Sequence, residues 1–286
     1  MLLSSSIRQK IYKSIFLTFI CRKIVGICNI FFYKSLCLKT HCNKKLMQYK
    51  NQKNGKRCFI IGNGPSLQAT DLDKLINEDC FACNHIEKMF QNTVWRPTYY
   101  MVSDAYFAQD IDITQFQNIF LSAYFRRNHK KYIRKSYYIN VINKCKKGYP
   151  VFSDDISKYI SAGNTVTFCN IQLAVYMGYS ELYLLGVDNN FNLTIDSKGK
   201  IESHEGKNHF YSDKYMDSKM EKNPSNVELM NKAYISAKRY CDLHNVKIYN
   251  ATRGGKLELF ERVDFDALFL DCKGKSENDK NKNAHI

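Results

Sequence analysis

Residues 58–66 read CFIIGNGPS. Four residues suited to a buried strand run into Gly62-Asn63-Gly64 and then Pro65-Ser66, a tight polar corner. The pattern recurs along the chain. Residues 80–83 end at Asn84, 98–102 at Ser103-Asp104, 119–121 at Ser122, 181–185 at Gly186-Val187-Asp188-Asn189, and 246–249 at Asn250-Ala251-Thr252. Short continuous apolar runs alternating with helical segments mark parallel strands covered on both faces. The expected fold is one Rossmann-like α/β domain, with a mostly parallel sheet and helices on both faces.

The connecting helices are legible too. Asn164 or Thr165 is placed to cap a helix that runs to Met177 and is apolar on nearly every side. Pro224 suits the first turn of a long helix, with Val227, Met230, Tyr234, Ala237 and Cys241 as its buried stripe.

Open α/β sheets bind ligands beyond the carboxyl ends of their strands. Asn63, Asn84, Ser103, Asp104, Asp188 and Asn250 all fall at that edge, where short amide and carboxyl groups can read a base and a ribose. The glycine corner is not a Walker loop, because no Gly-Lys-Ser/Thr follows it. It also departs from the dinucleotide fingerprint, with Leu67 where the third glycine would stand. Gly62 and Gly64 are expected to let a ligand approach the backbone, with the following helix N-terminus favouring phosphate. Together these features point to a ligand carrying a nucleotide.

The 286 residues are 44% hydrophobic and 24% charged, as in a globular protein, with no solenoid or propeller repeat. The formal net charge is +16, but residues 1–57 hold 13 Lys or Arg and no acid, so the remainder carries only +3. That asymmetry argues against a nucleic-acid-binding domain, whose basic residues spread over a folded face. Residues 7–33 are the most apolar long stretch, yet Arg22 and Lys23 interrupt it. Spanning a bilayer needs about 20 largely uncharged residues. Ile7, Ile11, Ile15 and Phe19 keep helical spacing with cations on other faces, so an interfacial helix on an anionic membrane surface is expected. A helix packed on the protein's own body is the rival reading. The chain therefore divides into a basic amphipathic helix (1–36), a linker (37–56), an α/β domain (57–270) and a disordered polar tail (271–286). The expected location is cytoplasmic, attached peripherally to the inner face of the cell membrane.

Eleven cysteines, an odd number in a long chain, read as reduced, core-packed thiols rather than a disulfide framework. Cys80-Phe-Ala-Cys83 has metal-site spacing but no second ligand pair, so no metal is expected.

IIGNGPSL, CFACNHI, MGYSELYLLGVDNNF and HFYSD together resemble the bacterial sialyltransferases that use CMP-activated sugars. They also resemble the 6-hydroxymethylpterin diphosphokinase-like family, to which motility accessory factors are related. NATRGGKLELFERV is closer to the second group. The resemblance covers about residues 57–269. It implies a nucleotide-binding α/β fold and, from the sialyltransferases, an inverting sugar transfer that needs neither metal nor cofactor. On that footing Gly62, Asn63, Gly64 and Ser66 approach the donor phosphate and sugar, and Asn84 reads the nucleotide. Ser103 or Asp104 touches the donor sugar, and Thr165 and Thr167 meet its anionic groups. Asp188 and Asn189 complete the pocket.

His209 is the candidate base for the acceptor hydroxyl, on a stretch suited to a mobile lid; His204 and His85 are alternatives. The tyrosines expected after Gly-Xaa-Asp are replaced by Asn189 and Asn190, leaving Tyr211 and Tyr215 to stabilise the departing phosphate. An arginine expected before the central helix is replaced by Ser161-Ala162-Gly163-Asn164. The expected function is transfer of a nonulosonic-acid-type sugar from a CMP-activated donor to a cell-surface glycan, lipopolysaccharide or glycoprotein, the acceptor being a glycan or lipid-linked. The basic run 126–147 would steer a phosphorylated or acidic acceptor; its rival reading is a solvated helix face. The rivals are a magnesium- and ATP-dependent diphosphotransferase and a catalytically silent membrane-bound scaffold. Relatives are often oligomeric, so a homo-oligomer is one expected form.

Overall fold

Strand β1 (Arg57–Ile61) alternates between two apolar cores, with Cys58 and Ile60 in one and Phe59 and Ile61 in the other. A strand buried on both faces must be central, which is why its sequence is a continuous apolar run. The computed structural model describes residues 24, 27–28, 31–36, 41–103, 111–127, 136–190, 193–195, 201–203, 209–211 and 226–270. After β1 come β2 (Cys80–Cys83), β3 (Tyr99–Val102), β4 (Ile119–Ser122), β5 (Ser136–Ile139), β6 (Glu181–Leu185), β7 (Lys247–Asn250) and β8 (Glu261–Arg262). They form one eight-stranded sheet in the order β8-β7-β6-β1-β2-β3-β4-β5. Every pairing in it is parallel.

The chain winds outward from β1 to β5, then returns to lay β6 on the other side of β1, with Ile61 beside Leu185. Strand order therefore reverses between β1 and β6. The crevice beyond their carboxyl ends is where doubly wound folds take ligands.

Besides the helical residues at 24, 27–28 and 31–36, the described residues form α1 (Cys42–Met47), α2 (Ala69–Asp73), α3 (Val166–Met177) and α4 (Val227–Leu243). Helix α3 is apolar all round because it is covered all round. It packs across β1, β2 and β3 on one side and α4 on the other. It stops at Gly178, whose φ of 93° gives the left-handed turn that closes its last carbonyls. Helix α4 buries Met230, Ala233, Tyr234, Ala237 and Cys241, close to the expected stripe. Its cap is Asn226, whose side chain accepts from the Leu229 amide; Pro224 lies outside the described residues.

Several expectations need correction. The stretch 37–56 is not a bare linker: α1 sits within it with Leu46 and Cys42 buried, and the Tyr49 ring packs edge-on against Tyr99, Phe120 and Tyr137. Apolar residues four and three apart were enough to fold a basic segment onto the body. The basic run 126–147 contributes the edge strand β5 rather than a helix face. Cys58, Cys80, Cys83, Cys169 and Cys241 are buried free thiols as expected, and burial pushes Cys83, Cys169 and Cys241 up to about 12. Cys42, by contrast, is disulfide-bonded. No described helix is long and apolar enough to cross a membrane. The polar tail 271–286 lies outside the described residues.

Candidate functional site

The two corners at the switch point interlock. The Gly62 amide donates to Leu185 O at 2.8 Å and the Gly64 amide to Gly186 O at 2.8 Å, which carries the β1–β6 ladder past the strand ends. A Cβ on Gly62 would strike Gly186 O, and one on Gly64 would overlap the Asp188 carboxylate. Gly186 itself has φ 67° and lies against Gly62 O and Leu67. The glycines are therefore required by the approach of one corner to the other, a correction to the expectation that they open the backbone to a ligand.

Asp188 is the product of that approach. Its side chain is held by the Ser66 hydroxyl, which donates to Oδ2 at 2.8 Å, and its backbone O accepts from the Lys256 amide at 2.7 Å. Burial raises its carboxyl above the usual range, and the Ser66 hydrogen bond opposes that shift. Thr252 and Asn250, at the end of β7, serve the scaffold. The Thr252 hydroxyl accepts from the Val187 amide at 3.1 Å, and the Asn250 amide donates to Leu257 O at 2.7 Å.

Helix α2 corrects a second expectation. It is only five residues long, and its first turn already holds a buried acid, Asp71, paired with Arg253. It offers no phosphate seat. Helix α3 is the better candidate: it has twelve residues, no acid in its first turn, and an N-cap, Thr165, whose side chain makes no capping hydrogen bond. The Phe168 amide donates to Thr165 O at 3.2 Å, while no capping side chain takes the amides of its first turn.

Asn63 ties the corner to the rest of the edge. Its Nδ2 donates to Cys83 O at 3.1 Å, and its backbone O accepts from the Phe210 amide at 2.9 Å. Its Oδ1 is buried and accepts nothing. The Phe210 bond brings the segment 209–211 back over the ends of β1 and β2. There Tyr211 lies 5.1 Å from the His209 ring and 5.8 Å from the His85 ring, centre to centre, with the Lys88 ammonium 4.3 Å above its face. His85 Nδ1 is 3.0 Å from Glu87 Oε1. Asn84 turns the chain here with φ 47°, and its carbonyl accepts from the Tyr100 hydroxyl at 2.7 Å.

On the α3 side, the hydroxyls of Thr165 and Thr167 face the buried Tyr234 phenol, and Ser103 faces the Cys169 thiol.

Two amides interrupt the apolar sequence of α3, and they behave oppositely. Gln172 is fully engaged: its Oε1 accepts from the Ser153 and Ser161 amides, and its Nε2 donates to Ser161 O and Phe168 O. Asn170 is 1% exposed, and neither its Oδ1 nor its Nδ2 has a partner. An unpartnered buried amide costs about 1–3 kcal/mol.

The structure thus assembles Gly62, Asn63, Gly64, Ser66 and Asp188 at the switch point. Asn84, His209 and Tyr211 lie over β2, and Ser103, Thr165 and Thr167 lie beside α3. Asn189 is turned to α4, where its amide donates to Asn231 Oδ1 at 2.9 Å. Asp104, His204 and Tyr215 lie outside the described residues. Asn170 and Lys88 were not anticipated, and Tyr234 was expected only as core; the available signal was a pair of amides inside an otherwise apolar helix. Among the described residues, no cluster of three His, Cys, Asp or Glu side chains is placed to hold a metal ion.

Sheet order and all-parallel pairing define a Rossmann-like, doubly wound α/β protein. Within that class, the chain belongs to the 6-hydroxymethylpterin diphosphokinase MptE-like family, whose sequence profile matches residues 35–194. It is also similar to a solved structure, the MAf glycosyltransferase from Magnetospirillum magneticum AMB-1, at 17% identity and a TM-score of 0.45. That likeness covers 79% of this chain but only 38% of the other. No curated protein matches the chain.

Proposed function

We propose that the protein is a transferase that moves a nonulosonic-acid-type sugar from a CMP-activated donor to a hydroxyl of a glycan or lipid-linked acceptor. The observation that carries the reading is the Phe210–Asn63 hydrogen bond, which puts an imidazole, a phenol and an ammonium over the strand ends where the donor would lie. The resemblance of the glycine corner, the Gly-Val-Asp corner and HFYSD to the CMP-sugar enzymes supplies the substrate class.

In this mechanism, Asn63 Oδ1 and the Asn170 amide take the donor's hydrogen-bonding edges, and the N-terminus of α3 with Thr165 and Thr167 faces its anionic groups. His209 accepts the proton of the acceptor hydroxyl, imidazole being the side chain best suited to a base near neutral pH. The acceptor oxygen bonds to the anomeric carbon as the bond from that carbon to the phosphate oxygen breaks. CMP leaves with the electron pair, and attack from the opposite face inverts the centre. Tyr211 and Lys88 stabilise the charge gathering on the departing phosphate.

His209→Ala should reduce transfer by about 10²–10⁴-fold while leaving donor binding intact. Unchanged turnover would remove His209 from the base role. A second reading, diphosphate transfer from ATP to a pterin alcohol, is favoured by the family match. It too needs a base for an acceptor hydroxyl, but it requires a divalent cation on the polyphosphate. Asp188 suits that task poorly, since its carboxyl is buried and already occupied by the Ser66 hydroxyl.

A further inference from the structure

Tyr33 and Leu36 belong to the core, and the Tyr33 hydroxyl donates to Ser157 O at 3.1 Å and to Asn43 Oδ1 at 3.1 Å. Residues 31–36 are helical, so this part of the basic leader is built onto the α/β body rather than tethered to it. Its opposite side is bare. Ile24 is 54% exposed, Ile27 53% and Phe31 67%. Positions i, i+3 and i+7 fall on one helix face, so these three side chains form a single apolar stripe. Met47, at the end of α1, is 60% exposed as well.

An apolar stripe alone says nothing about its occupant; the surrounding charge does. Residues 1–57 contain 13 Lys or Arg and not one Asp or Glu, whereas residues 58–286 are close to balance. Lys34 on the helix and Lys44 and Lys45 on α1 are exposed. We infer that this face docks on an anionic lipid surface, with Ile24, Ile27 and Phe31 in the acyl boundary and the lysines among the headgroups. Because Tyr33 and Leu36 fix the helix to the body, the docked protein would hold its sheet at a set orientation to the membrane instead of swinging on a leash. The inference does not depend on which group the crevice transfers.

The test is co-sedimentation of the full chain with vesicles of neutral phosphatidylcholine alone, and of phosphatidylcholine mixed with anionic phosphatidylglycerol. The wild type should pellet only with the anionic vesicles. Ile27→Asp/Phe31→Asp should weaken that partition by about tenfold or more, with thermal unfolding unchanged because both side chains are exposed. If the wild type ignores anionic vesicles, or the double variant binds as well as the wild type, the inference fails. Binding that about 1 M salt abolishes but the variant leaves untouched would reduce the effect to charge and remove the apolar face from it. If the wild type shows twice the variant's mass by light scattering and no vesicle binding, the face joins two copies of the chain, and the lipid assignment is overturned.

Discussion

Gly64→Ala is the sharpest perturbation of the switch-point crevice. Gly64 does not need a left-handed backbone; its Cβ is excluded only because the Asp188 carboxylate and Gly186 O occupy the space. Neither neighbour yields cheaply. Gly186 O lies in the β1–β6 ladder, and Asp188 moves only by giving up the Ser66 hydroxyl while buried. Overpacking costs about 1–3 kcal/mol, and losing a hydrogen bond to a charged group about 1.5–3 kcal/mol, so the expected loss is about 3–5 kcal/mol. Gly148→Ala is the control. Gly148 has φ 80° with nothing within 4 Å of a built Cβ, so it tests backbone strain alone, about 1–2 kcal/mol. Urea unfolding followed by circular dichroism gives both values. If Gly64→Ala costs no more than Gly148→Ala, the interlocked corner is not the constraint described above.

Asn170→Leu should raise the stability of the ligand-free protein by about 1–3 kcal/mol, by removing an unsatisfied buried amide, while weakening nucleotide binding in titration calorimetry. A variant that loses stability and still binds as the wild type would show that the amide serves the scaffold. Asp188→Asn tests the buried carboxyl. Burial raises its folded pKa, so the stability linked to its protonation is complete below the unfolded value of about 3.9 and is lost as pH rises through the folded one. The neutral amide still accepts from Ser66, so Asp188→Asn should gain on the wild type from about pH 4 toward neutrality in urea unfolding. A gain that grows toward acid would contradict the assignment.

The sheet was legible because its strands are buried on both faces, and continuous apolar runs such as FII and LYLL leave few other readings. Strands β5 and β8 were not. One is an edge strand inside a basic run, and the other is two charged residues, Glu261 and Arg262, held by pairing with β7 and by the Arg262 guanidinium, which donates to Thr252 O and Gly254 O. The polar strand ends were legible as a set, since parallel strands put their carboxyl ends on one edge. Their individual roles were not. A glycine tells that a Cβ is forbidden, but only the register of β1 against β6 shows that Gly186 O and Asp188 forbid it. Likewise Asn170 and Gln172 look alike in an apolar helix. What separates them is that β-strand residue Ser161 (Ile160–Ser161) lies within reach of one, and no partner lies within reach of the other. The segment 37–56 was misread because three apolar side chains, Cys42, Leu46 and Tyr49, outweigh its surrounding charge once a sheet edge is there to receive them.

The proposal that the crevice holds a CMP-activated donor is tested most directly by titration calorimetry of the full chain with CMP and with ATP, each in the presence of magnesium and of a chelator. The account predicts saturable CMP binding of equal affinity in both conditions, weakened in Asn170→Leu, and no comparable ATP binding. Magnesium-dependent binding of ATP with no binding of CMP would contradict it.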